Sequence, residues 1–263
     1  MIKLCIDPGH GGANRANRGP TGYVEADGNL KVSKMIKEEL DTTCAFYTLL
    51  TRDADVTLNL RQRANIGADF GADVFISMHS DACNGKAKGS TAFYSVDLPN
   101  DRILASKFTN DIAKLFGTVD RGAHYRAADP KAPGSSGATV SNPEDHYAVI
   151  DQAQDRGIRH VFLIEMLFHD NPEEEAILKQ DANLRKIAQA LAAELCTFFG
   201  IKYILTMPLN TMQDILTINR FLVNKGEPEL SLDYWPSRAK AGGTCDGGNV
   251  AEVYRRFAAA LAK

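Results

Sequence analysis

Cysteine is scarce and never paired. Cys5, Cys44, Cys83, Cys196 and Cys245 lie far apart, with no CxxC spacing among them. That excludes a disulfide framework and a thiolate metal site, and it fits a chain built in a reducing compartment. Cys5 and Cys196 stand in apolar surroundings and read as small core residues. An excess of charge is missing too. Thirty Lys and Arg against 33 Asp and Glu leave a net charge of −3, so no basic field draws nucleic acid or an anionic membrane. No apolar run approaches the ~20 residues needed to insert into and span a bilayer. No leader precedes the first strand, which starts at Ile2, so the chain is expected to be made in the cytoplasm without a signal peptide. HExxH, GxSxG, the P-loop and the dinucleotide fingerprint are all absent, and no internal repeat stands in their place.

What is present is an ordinary globular composition, 44% hydrophobic and 24% charged over 263 residues. That length fits one large domain, or one domain with a small appendage. The most informative stretch is Ile2-Lys3-Leu4-Cys5-Ile6-Asp7-Pro8-Gly9-His10-Gly11-Gly12. Its apolar start stops abruptly at Asp-Pro-Gly, as a short buried strand does when it enters a turn. His10 leaves that strand's carboxyl end among glycines, where open α/β sheets bind ligands. A plain surface-loop histidine would look the same in isolation.

The pattern then alternates. Asp27 or Asn29 could cap a helix over about 30–40, with Leu30, Ile36 and Leu40 on one face. Glu25 lies where that helix begins, a position the helix dipole favours for a carboxylate even without function. Residues 45–51 form a second strand, and Thr57 caps a helix running to about Phe70. Asp73 to Met78 is a third strand, from whose end His79-Ser80-Asp81 emerges. A fourth strand over 89–95 and a helix over about 100–116 follow. The stretch from Gly117 to Asp145 is rich in Gly, Pro, Ser and Ala with little periodicity, as a cleft wall or lid would be. His124 and His146, in or beside it, read most simply as solvated loop histidines. Next comes His160 to Phe168, an apolar strand interrupted by Glu165. Burying a carboxylate there is costly unless it is paired, protonated or bound to metal, so Glu165 is either a functional acid or base or an arginine-paired rim residue. A helix opening at Pro172 and an amphipathic one over about 181–199 complete a predicted domain of residues 1–200. The fold class is α/β, a twisted, mostly parallel sheet flanked by helices.

His10, Glu25 and His79 suit one zinc ion, which takes imidazole nitrogen and carboxylate oxygen in tetrahedral arrangement. Three protein ligands leave a position for water, and Glu165 is placed to act as its base. These residues resemble the zinc-dependent N-acetylmuramoyl-L-alanine amidases of the amidase-3 type. The resemblance rests on Asp7-Pro8-Gly9-His10-Gly11-Gly12, Glu25, Thr51-Arg52, Leu60 and Arg63, Ala72 to His79, Val161 to Glu165, Phe168 and Asn171-Pro172, in that order. It implies one zinc on His10, Glu25 and His79, and Glu165 as the catalytic glutamate. It also implies peptidoglycan as substrate, cut between the lactyl group of N-acetylmuramic acid and L-alanine. Three departures stand out. Asp81 replaces a common asparagine, Met166-Leu167 a common Leu-Gly, and the 117–145 stretch has no clear counterpart.

Residues 201–263 read as a small, mainly helical second domain, with helical patterns over Thr211 to Asn224 and from Asn249 to the end. Its Tyr234 and Trp235 suit either stacking on wall sugars or a small core. A catalytic domain with a short extra domain and no secretion signal resembles a phage endolysin that reaches the bacterial wall after release. The rivals are a bacterial autolysin or spore-wall amidase, a zinc peptidase of the stem peptide, and a non-catalytic wall-binding protein.

Overall fold

The structure is a computed structural model that describes residues 1–43, 45–131 and 144–203. The expected second domain lies, from residue 204 on, outside the described residues. Within Met1–Tyr203, one compact unit, the chain runs β1 (Ile2–Pro8), α1 (Glu25–Asp41), β2 (Phe46–Leu50), α2 (Leu60–Phe70), β3 (Val74–Asp81) and β4 (Ser90–Tyr94). It continues through α3 (Arg102–Phe116), β5 (Asp120–His124), α4 (Ala148–Asp155), β6 (His160–Phe168), α5 (Pro172–Leu178) and α6 (Asp181–Phe198).

The six strands form one sheet in the order β2-β1-β3-β6-β4-β5. Every neighbouring pair is parallel except β4 and β6. This is the expected mostly parallel α/β sheet, and alternation along its strands builds two cores. Leu4, Ile6, Ile76, Met78, Phe162 and Ile164 face α1, α3 and α6, joined by Val32, Ile36, Phe108 and Leu191. Cys5, Phe75, Val161 and Leu163 face the other way, against Ala64 of α2 and Ile150 and Ala153 of α4. Both Cys5 and Cys196 are fully buried, as expected of core residues.

Several boundaries differ from expectation, each for a physical reason. Helix α1 begins at Glu25, without a side-chain cap from Asp27 or Asn29. The N–H of Glu25 is instead satisfied by the carbonyl of Asn17, 3.1 Å away in the preceding loop. Helix α2 is capped by Asn59 in a reciprocal box with Gln62, whereas Thr57 Oγ1 accepts from the N–H of Ala13 at 2.8 Å. The 117–145 stretch is not wholly irregular. Its residues 120–124 form β5, an edge strand parallel to β4, while 132–143 lie outside the described residues.

The carboxyl end of β1 is fixed by a buried polar network. Asp7 is fully buried and accepts from Thr51 Oγ1 at 2.5 Å, Ser77 Oγ at 2.7 Å and Arg63 Nη1 at 2.8 Å. Arg63 also donates to the carbonyls of Pro8 and His10, each at 2.7 Å. Arg52 donates to Pro8 O at 2.8 Å, Gly9 O at 3.0 Å and Ala26 O at 2.7 Å. The turn that carries His10 is thus clamped through its own backbone. Replacing Arg63 with methionine strands the Asp7 charge and should cost about 3–5 kcal/mol, as does breaking other buried pairs. Urea unfolding followed by far-UV circular dichroism checks this, and a loss below about 1 kcal/mol would remove the network from its structural role.

Candidate metal centre and active site

Three elements converge at the sheet's carboxyl edge. His10 follows β1 with a φ of 60°, a left-handed backbone rare for a residue with a side chain and held here by the arginine clamp. Glu25 opens α1, and His79 lies in β3. His10 Nε2 is 3.2 Å from Glu25 Oε2, and His79 Nδ1 is 3.1 Å from Glu25 Oε1. The two imidazoles meet edge to face, with centroids 5.0 Å apart. One donor atom from each of the three residues falls within 4.8 Å of the others. The three residues expected to share a cation are therefore brought together.

Gly9 makes the close approach feasible. A Cβ built on it would sit 2.2 Å from His79 Cε1, inside the ring's van der Waals envelope. Around Glu25, Asn17 Nδ2 donates to Oε2 at 2.7 Å, while the Ser80 N–H and Asn29 Nδ2 donate to Oε1 at 3.1 and 3.3 Å. These donors orient a carboxylate that would ligate a metal. Burial works against ionising Glu25, yet the hydrogen bonds with His10 and His79 and their charges win and hold the carboxyl well below its usual range. The same hydrogen bond to Glu25 raises His10, against the opposing pull of burial.

Glu165 lies beside this cluster. It is the register partner of His79 on the parallel neighbour β3 and of Thr91 on the antiparallel neighbour β4. Its Oε2 is buried with no hydrogen-bond partner among the described residues, so the arginine-paired alternative fails for that atom. Burial first, then the charges of Glu25 and Asp81, push its carboxyl well above the ordinary value. Met166 and Leu167, where the sequence departs from the common pattern, are fully buried in β6. The β3–β6 register slips between His79 and Asp81 alongside them.

His124 and His146 are both exposed and lie outside the cluster, but His124 is the last residue of strand β5 and not a loop histidine. Sequence reasoning missed Asn17 and Ser80 as partners of Glu25, and took Asn29 for a helix cap. A buried asparagine inside α1, four residues after Glu25, was the available signal.

Two cavities flank the cluster. One, of ≈ 210 Å³, is lined by His10, His79, Leu58, Leu60 and Val149 among others. The second, of ≈ 440 Å³, is lined by Asp81, Thr91, Phe93, Val119, Arg121 and His124.

Two imidazoles and a carboxylate at the carboxyl end of a mostly parallel sheet, with Glu165 Oε2 alongside left without a partner among the described residues, mark a hydrolase of α/β architecture with a candidate metal site. Comparison with known proteins makes this specific. The chain belongs to the N-acetylmuramoyl-L-alanine amidase family of the amidase-3 type, whose profile matches residues 4–197. It is 26% identical over 212 residues to the amidase AmiC of Neisseria meningitidis, covering 72% of this chain and 51% of that protein. It is 29% identical over 208 residues to the endolysin of Bacillus phage SPP1, covering 77% of this chain and 68% of that one. The chain thus spans about half the length of the first of these relatives and two thirds of the second. The solved catalytic domain of CwlV, an N-acetylmuramoyl-L-alanine amidase from Bacillus (Paenibacillus) polymyxa var. colistinus, shares its fold. The TM-score there is 0.64 at 22% identity, over 77% of this chain and all of that domain. Among the described residues, no helix is long and apolar enough to cross a membrane.

Adding a methyl group at Gly9 drives against the His79 ring. Gly9→Ala should therefore weaken Zn²⁺ binding about 10- to 100-fold, as loss of other supporting positions around a metal does. Competition against a chelating dye reads this directly, and undiminished affinity would show that His79 needs no such clearance.

Proposed function

We propose that the chain hydrolyses the amide between the lactyl group of N-acetylmuramic acid and the L-alanine of the peptidoglycan stem peptide. In this reading one zinc is held by His10, Glu25 and His79, and Glu165 is the catalytic acid and base. The observation that carries the reading is the unpaired, buried Glu165 Oε2 in register with His79. Family membership over residues 4–197 supports the substrate class.

The donor set fits zinc: two imidazole nitrogens and one carboxylate oxygen, with a neighbouring carboxyl left free. When bound, the cation would supply Lewis acidity toward the scissile carbonyl and lower the pKa of water. The remaining work falls to the protein's own groups. Ionised Glu25 brings the negative charge that makes a cation welcome, and Asn17, Asn29 and the Ser80 N–H keep its oxygens aimed. Glu165 takes a proton from the attacking water as oxygen bonds to the lactyl carbon. It hands that proton to the alanine nitrogen as the C–N bond breaks, leaving a lactyl carboxylate and a free amine. Burial and the charges of Glu25 and Asp81 raise its affinity for protons, which favours keeping the proton until the alanine nitrogen leaves; the first step draws on its ionised form.

An endolysin role, with the chain made in the cytoplasm and acting on the wall after release, is the biological setting we favour. The likeness to the SPP1 endolysin over most of this chain supports it. A bacterial autolysin remains the rival setting, supported by the likeness to AmiC.

Purified cell walls digested with the full chain should yield new N-terminal L-alanine and free lactyl carboxyl groups by mass spectrometry. Cleavage inside the stem would replace the amidase reading with a peptidase. Wall pelleting without any release, insensitive to chelator, would leave a binding protein. Glu165→Gln should keep one zinc per chain while losing about 10²–10⁴-fold in rate. His79→Ala should lose the metal itself, and full zinc occupancy there would break the ligand assignment.

A further inference from the structure

The larger of the two cavities begins where the active site ends. Thr91, on its wall, stands directly opposite Glu165 in the β4–β6 pair, and Asp81 follows His79 by two residues on β3. Its far wall is β5, which carries Arg121 and His124.

Arg121 is held without being used up. Its guanidinium lies 5.2 Å over the ring of Phe168, a side chain only 2% exposed and therefore a firm platform. Nη1 makes one long hydrogen bond to Lys88 O at 3.4 Å, and no carboxylate of the described residues lies within ion-pair distance. His124 Nε2 donates to the Arg121 carbonyl at 2.8 Å, which steadies the strand beneath it. The result is a forked cation with most of its five donors open, facing a cavity of ≈ 440 Å³.

The smaller cavity differs in charge. Its Asp7 and Arg63 are bonded to each other and to backbone, so it offers no free ion. The two sides of the scissile bond differ in the same way. The acyl side is a neutral N-acetylated sugar with its lactyl group, whereas the amine side is a peptide bearing free carboxylates.

We propose that Arg121 is a specificity-determining residue. Its guanidinium binds, as a two-pronged hydrogen-bonded pair, the carboxylate nearest the scissile amide on the peptide side of the substrate. Asp81, sharing the cavity, accepts from a peptide N–H beside that carboxylate. The smaller cavity, which opens on His10 and His79 and whose Asp7 and Arg63 are paired with each other, then takes the lactyl and sugar side. The proposal rests on the amidase reading and deepens it, because it fixes which way the substrate lies across Glu165.

The test compares two N-acetylmuramoyl tripeptides that differ only in whether the α-carboxyl of the residue after L-alanine is free or carboxamide. The intact chain should favour the free acid about 10- to 100-fold in kcat/KM, the size of one charge-assisted pair. Arg121→Ala should raise KM for the acid by that factor, leave kcat within about threefold, and leave the carboxamide unaffected. Arg121→Lys keeps the charge but loses the fork, and should recover only part of the preference. Equal losses on both substrates, or no preference in the intact chain, would overturn the assignment. Titration of the product dipeptide L-alanyl-D-glutamate into the zinc-loaded Glu165→Gln chain gives a readout that needs no turnover. Binding that vanishes with Arg121→Ala supports the carboxylate site, and binding indifferent to Arg121 refutes it. Failure of the intact chain to cleave either tripeptide would instead defeat the amidase reading, so the two failures are told apart.

Discussion

Everything at the site depends on two arginines that hold a backbone. Past Pro8 the chain leaves the sheet, and the carbonyls of Pro8, Gly9 and His10 turn inward without ladder partners. Arg52 and Arg63 supply those partners from two different elements, and Asp7 fixes Arg63 in turn. A buried carbonyl must find a donor somewhere, and a guanidinium can serve several from one planar group. The same bonds hold His10 at a positive φ that the free chain would rarely adopt. Arg52 also reaches Ala26 O in the first turn of α1, tying the strand end to the helix that presents Glu25. A single buried polar network therefore sets the spacing between His10 and Glu25.

On this frame two carboxyls in one site are driven in opposite directions. Both are desolvated. Glu25 is surrounded by donors and two imidazoles, so it stays ionised despite burial. Glu165 is desolvated along β6 and feels two other acids, so its affinity for a proton is raised. Environment alone thus drives one carboxyl toward its ionised form and the other toward its protonated form. The alternation of β6 contributes directly: Leu163 and Glu165 share a face of the sheet, while Ile164 and Met166 enter the opposite core.

Legibility in the sequence tracked how local the physics was. Strands β1, β3 and β6 were plain because buried parallel strands read as continuous apolar runs, and each carried its polar residue where the run broke. The grouping of His10, Glu25 and His79 followed from strand ends sharing one edge. The start of α1 was not legible, because its leading N–H is satisfied by Asn17 O from a loop and not by a neighbouring side chain. Strand β5, Asp-Arg-Gly-Ala-His, has one buried residue, Ala123, and a glycine at its centre. Only its pairing with β4 makes it a strand. The same invisibility hid Arg121, whose neighbour Phe168 lies far away in the sequence.

One atom in this site is worse off than it needs to be. Among the described residues Glu165 Oε2 is buried without a partner, an arrangement that ordinarily costs about 1–3 kcal/mol. A glutamine there would remove the ionisation problem, and an apolar residue would remove the orphan altogether; either would suit a strand whose other residues are almost all buried and apolar. By contrast, Asp7, Glu174 and Glu175, which are more fully buried than Glu165, are each furnished with donors. A fold that satisfies those carboxylates so fully has the means to satisfy one more. That Glu165 is left open, on the face shared with His79, is what a group must look like if its partner arrives with the substrate.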